Sequence, residues 1–192
     1  GSPSGIDTGI ANLGGIQAFS FEGGELPRAR SLRNADLFLL VGAVPRTADT
    51  KRLVAGVKAA REAGSELVQG ALSSLGAIAE EAIALLGASD APDAARRIGA
   101  LADTAQARLR ELELSNADLE AVLSAGSDAG SVGGKLSGAG GGGAFYLVFE
   151  EAAALRRAEA AVRRVLDGIT AGLPLFSYRV TEGETERVTT AA

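Results

Sequence analysis

Apolar and polar positions follow two different periods along this chain. Over residues 15–44, short strand-type runs alternate with turn residues: Gly15 to Phe21, Gly23-Gly24, Arg28 to Leu32, then Leu37 to Val44. That spacing predicts a small antiparallel meander. From Thr50 the period lengthens to that of a helix, with Leu53, Val54, Val57 and Ala60 on one face and Lys51, Lys58, Arg61 and Glu62 on the other, and Gly64 ends the segment. Leu67 to Leu86 reads as a second, nearly all-apolar helix and Asp93 to Leu112 as a third, with Pro92 at its start. Ser115 is placed to cap a fourth that carries Leu119, Val122 and Leu123. Beyond the dense glycines of residues 126–143, the pattern predicts a strand from Ala144 to Glu150, a helix from Ala152 to Ile169 and a strand from Leu175 to Thr181. Strands segregated from helices in this order predict an α+β fold, a helical layer packed on a mixed or antiparallel sheet.

Composition then narrows the chemistry. The chain has 192 residues, 46% of them hydrophobic, enough for one substantial core or a core with a small subdomain. It has no cysteine, which excludes disulfides and thiolate zinc sites, and no histidine. Catalysis would therefore rest on carboxylate, hydroxyl, lysine or arginine groups, backbone amides or a bound metal. Methionine is absent even at position 1, so the expectation is a fragment or processed product. A net charge of −5 without a basic stripe argues against nucleic acid as a partner. The apolar runs Leu37 to Val44 and Ala144 to Phe149 fall short of the roughly 20 residues that a membrane-spanning helix needs. With no signal peptide in view, a soluble, cytoplasmic protein without a membrane partner is expected.

Three segments carry candidate chemistry. In Ser2-Pro3-Ser4-Gly5-Ile6-Asp7, running on to Gly14-Gly15, a rigid turn could present Ser4 and Asp7 to one pocket, or either could simply cap the segment Thr8 to Leu13. In Val44-Pro45-Arg46-Thr47-Ala48-Asp49-Thr50-Lys51-Arg52-Leu53, hydroxyls and cations join a strand end to a helix start, where helix amides welcome anions. Ordinary capping by Asp49 or Thr50 is the other reading. The third segment is Gly133-Gly134-Lys135-Leu136-Ser137-Gly138-Ala139-Gly140-Gly141-Gly142-Gly143. Glycines without Cβ let successive amides converge on an anion. A P-loop is excluded, because Ala129 and Leu136 stand where it needs glycine and Ser or Thr. Gly138, Gly140 and Gly143 satisfy G-x-G-x-x-G, but the run opens into a strand where a dinucleotide fold needs a helix. A flexible linker is the remaining alternative.

Together the three segments resemble the mevalonate kinase family, within the superfamily of galactokinase, homoserine kinase and phosphomevalonate kinase. Pro3-Ser4-Gly5-Ile6-Asp7 with Gly14-Gly15 is similar to its P-S-G-x-D segment, Val44 to Val57 to its substrate-proximal loop and helix, and Lys135 to Gly143 to its third motif. The resemblance implies a two-lobed small-molecule kinase whose C-terminal lobe is helical and ferredoxin-like. It places residues 1–49 at the end of an N-terminal lobe and 50–192 in the C-terminal kinase domain. It implies ATP-dependent phosphorylation of a primary alcohol, mevalonate foremost, with phosphomevalonate, a sugar or a non-catalytic interaction module as alternatives. Asp7 takes the catalytic place, Ser4, Gly5, Arg46 and Thr50 the substrate, and Lys135, Ser137, Gly138, Ala139, Gly140 and Gly141 the phosphate loop, with no metal ligand assigned. ATP and Mg²⁺ would be held mainly by an N-terminal half upstream of Gly1, the partner without which the chain carries half a site. The resemblance leaves a homodimer open.

Overall fold

The structure is a computed structural model that describes residues 6–21, 27–32, 36–88, 93–181 and 184–188, with the backbone alone for Asp7, Thr8 and Glu184. Helix α1 (Ile6–Leu13) leads into a hairpin of β1 (Ile16–Ser20) and β2 (Arg28–Leu32). Strand β3 (Leu37–Val44) follows, then four helices: α2 (Thr50–Glu62), α3 (Glu66–Gly87), α4 (Ala94–Glu111) and α5 (Ala117–Asp128). The chain ends with β4 (Gly133–Leu136), β5 (Gly143–Phe149), α6 (Ala152–Ile169), β6 (Leu175–Thr181) and β7 (Glu184–Arg187).

The expected meander is only half realised. β1 and β2 pair with each other, but β3 leaves them to become the middle strand of an antiparallel sheet ordered β4-β5-β3-β6-β7. The reason lies in its composition: Leu37 to Val44 is apolar on both faces, which suits a strand covered on both sides. Strands β3, β4, β5 and β6, with the helices between them, give the β-α-β-β-α-β order of a ferredoxin-like layer. The fold is α+β, and every strand pairing among the described residues is antiparallel.

One face of the sheet presents Leu40, Val44, Leu136, Phe145, Leu147 and Phe149 to α5 and α6. α6 meets it with Leu155, Ala158, Val162 and Leu166, all fully buried and three or four residues apart along one face. Burial of each of its larger side chains contributes about 1.5–3 kcal/mol. On the other face, Leu37, Val148 and Val180 pack with Leu32 of the hairpin, Leu86 of α3 and Ala95 of α4. α2 buries no residue and leaves Val54 57% exposed. By length and composition α3 would suffice to cross a membrane, with 22 residues and a mean hydropathy of 1.3 over its most apolar window. It packs along α4 and buries Val68, Ala71, Leu85 and Leu86 near its ends.

Two caps refine the helix starts. Asp49 caps α2 by accepting from the Lys51 amide at 3.3 Å. α5 is capped by Asn116, which accepts from the Leu119 amide at 2.9 Å, and not by Ser115, whose hydroxyl is drawn to Glu120 at 2.6 Å.

Candidate phosphate-binding site

The glycine run begins as a strand. Gly133 to Leu136 pairs with β5 on one side, and on the other side α4 takes the place of a neighbouring strand. Asp103 Oδ1 accepts from the Gly134 amide at 2.8 Å and Gln106 Oε1 from the Leu136 amide at 3.0 Å, so the edge amides are satisfied by helix side chains. The Ser137 amide donates to Ala144 O at 2.8 Å and closes the neck of the loop. Within the loop, the Gly141 amide donates to Leu114 O at 2.8 Å, and Gly141 O accepts from the amide and hydroxyl of Thr47 at 2.7 and 3.1 Å. Asn116 Nδ2 reaches the same hydroxyl at 3.4 Å. Three segments distant in sequence, 45–48, 112–116 and 137–143, are thus joined through one glycine.

Close approach makes two of these glycines obligatory. A Cβ on Gly140 would run into the Leu114 carbonyl oxygen, and one on Gly142 into that of Pro45; both have φ near +90 to +100°, at 86° and 102°. An anchored loop of this kind is not a flexible linker. The exposed amide of Gly138 and the half-buried one of Ala139 donate to no acceptor among the described residues.

Arg46 and Thr50 are brought to this loop. Arg46 Nη1 donates to Thr50 Oγ1 at 3.4 Å, and its Nε lies 3.0 Å from where a Cβ on Gly143 would stand. Two cavities border the same place. One of about 690 Å³ is lined by Ala48, Arg52, Leu53, Leu112 and Leu114 among others. A second of about 330 Å³ runs between Leu53, Val57, Lys58, Arg61, Leu114 and Ala139. The larger cavity carries charge of both signs, with Arg52 beside Glu111 and Glu113, whereas the smaller one joins apolar walls to the cations Lys58 and Arg61, a lining that suits an acidic small molecule with an apolar part.

Other expected site residues fall elsewhere. Lys135 leaves β4 on the face opposite to Leu136; its ammonium donates to Leu136 O at 2.6 Å and stands 5.5 Å from the Tyr146 ring centre. Burial pulls the Lys135 ammonium below its ordinary value and pushes the Tyr146 phenol up to about 12. Ser137 is exposed at the neck of the loop. Ser4 and Gly5 lie outside the described residues, as does the side chain of Asp7, whose backbone lies in the first turn of α1.

Several supporting residues carry no motif. Gln106 Nε2 donates to Ser115 Oγ at 3.0 Å and Glu120 Oε1 at 2.8 Å, while Arg110 holds Glu120 Oε2 at 2.7 Å. Burial raises the Glu120 carboxyl, but hydrogen bonds from Ser115, Arg110 and Gln106 and the Arg110 charge outweigh it and hold the group below its ordinary value. The network ties the end of β4 to the α4–α5 turn that supplies Leu114. One signal pointed to it: Gln106 is a lone amide among Ala102, Ala105 and Leu109 on the buried face of α4.

Residues 66–168, more than half of the chain, match the family described as GHMP kinases C terminal. The chain belongs to this family. The mevalonate kinases of Thermococcus sibiricus and Thermococcus gammatolerans are each 31% identical to this GHMP kinase chain, over 187 and 185 residues; each match covers 95% of the chain and 52% of the relative. The chain therefore spans about half the length of the curated relatives it matches. In fold it is similar to L. major mevalonate kinase, solved in complex with R-mevalonate, with a TM-score of 0.82 and 21% identity over 95% of this chain and 54% of that one.

Proposed function

We propose that this GHMP kinase chain is the C-terminal half of an ATP-dependent kinase that phosphorylates the primary alcohol of mevalonate to 5-phosphomevalonate. The observation that carries the reading is the union of the glycine loop with the Arg46–Thr50 segment, in a chain similar along nearly its whole length to mevalonate kinases. The unclaimed amides of Gly138 and Ala139 fit a phosphate group. Among the described residues no group of three or more Asp, Glu, His or Cys side chains is placed to hold a metal ion, and Mg²⁺ would be held mainly by the N-terminal half.

Bound ATP supplies the γ-phosphoryl group. The chain's own residues position and neutralise, which is what a loose phosphoryl-transfer transition state demands. Asp7 holds the substrate hydroxyl and accepts its proton as the oxygen–phosphorus bond forms and the bond to ADP breaks. The glycine-loop amides donate to phosphate oxygens, and Arg46 and Thr50 hold the substrate carboxylate. The remaining nucleotide contacts belong to an N-terminal half of the kinase.

The test is ADP release by this chain joined to its N-terminal half, with R-mevalonate, phosphomevalonate and galactose compared as substrates. R-mevalonate should give the highest kcat/KM. Faster turnover of either other substrate would move the assignment within the superfamily, and silence with all three would leave an interaction module.

A further inference from the structure

A third cavity, of about 300 Å³, lies between α3 and α4 over the edge of the sheet and plays no part in the chemistry above. Leu75 and Ile78 form its wall on α3, Ile98 and Leu101 its wall on α4, and Lys135 and Tyr146 line it from the sheet. None of its lining residues is acidic. We propose that this cavity binds a small amphipathic monocarboxylate, with the carboxylate on the Lys135 ammonium and the alkyl body between α3 and α4.

The ammonium is the unusual element. It has three donors, and among the described residues only Leu136 O, at 2.6 Å, accepts from it. No ion pair is formed by Lys135 among the described residues, and the face of Tyr146 offers only a partial counter-charge. A largely buried cation without an anion is costly, and a carboxylate that reaches it gains a charge-assisted hydrogen bond in a setting where water competes poorly. Burial pulls the ammonium below its ordinary value, in keeping with a largely buried cation. One cation matches one negative charge, which favours a monocarboxylate over a phosphate ester. The walls are aliphatic, and the volume stands at the lower limit of small-molecule sites, which fits a chain of roughly six to eight carbons. The inference does not depend on the phosphoryl-transfer reading.

Octanoate is the probe, with 1-octanol as its neutral counterpart, titrated calorimetrically into the 192-residue protein. Octanoate should bind with Kd below about 1 mM and at least roughly tenfold more tightly than octanol, and Lys135→Met should erase that preference. Met keeps the length of the side chain and removes a buried charge, so folding should survive. Ala82→Leu, which narrows the cavity from α3, should weaken octanoate by a similar factor. In parallel, octanoate should protect Lys135 from acetylation by an amine-directed reagent while leaving the exposed Lys51 and Lys58 unchanged. Absence of octanoate binding, equal affinity for octanol, a preference that survives in Lys135→Met, or protection spread over all three lysines would overturn the proposal.

Discussion

The two halves of the glycine loop use the same residue for opposite reasons. Around Gly140 and Gly142 the space that a Cβ would need is filled by the protein's own carbonyl groups, from Leu114 and Pro45. Around Gly138 nothing lies within 4 Å of that position, although φ is +88°. The first half is glycine because the loop is pressed against its supports. The other half is glycine where the backbone faces open space, in the cradle proposed above for a phosphate group. A run that reads as uniform in sequence is thus half clamp and half cradle, and a substitution in one half tests something different from a substitution in the other.

The sharpest break comes from the clamp. Gly142→Val should cost about 3 kcal/mol or more in denaturant unfolding, because a left-handed φ and a collision with backbone act together. Native-like stability would mean that the clamp is not as described. Asp7→Asn should then show a loss of chemistry without a loss of packing: in the kinase joined to its N-terminal half, kcat should fall roughly 100-fold with the unfolding midpoint unchanged. Retention of more than half of kcat would return Asp7 to a capping role. In the cradle, Gly138→Ala should cost only about 1 kcal/mol, from φ alone, and should raise the KM for ATP while sparing that for mevalonate. An unchanged ATP KM would leave the cradle without its ligand.

The smallest effect is one of pH. The Glu120 carboxyl titrates below its ordinary value of 4.5 in the folded protein, so the stability it contributes is present above that value and fades as pH falls through the lower, folded pKa. Unfolding curves of the wild type and Glu120→Gln should therefore converge below about pH 4.5, and parallel curves down to acid would show that the network does not hold the charge.

The helical layer was legible in the sequence because its signals are local. The stripe of Leu53, Val57 and Ala60 and the spacing of Leu155, Ala158, Val162 and Leu166 declare their faces without help from the rest of the chain. The strands β4 and β7 were not legible. Gly-Gly-Lys-Leu has no alternation, and its pairing depends on β5 and on two side chains of α4, while Glu-Thr-Glu-Arg has no apolar face at all. The place of β3 needed the register with β5 and β6, since nearness in sequence to β1 and β2 suggested the wrong partners. For the candidate site, the glycines and the Arg46–Thr50 loop could be singled out by residue type. Leu114 could not, because a backbone carbonyl matters only through what the fold brings to it, and Gln106 shows in the sequence only as a lone amide on an apolar face, without its partners.

The helix that closes the edge of β4 also bears on how these molecules behave in a crowd. A bare strand edge is a template on which another chain can add itself, copy after copy, toward fibrous aggregates. With Asp103 and Gln106 occupying the Gly134 and Leu136 amides, and the backbone of α4 pressed at Gly99 against Val132 and Gly133, an incoming strand finds no register to adopt on that side. The same two side chains that fix the root of the glycine loop therefore also act as a seal against self-templated growth.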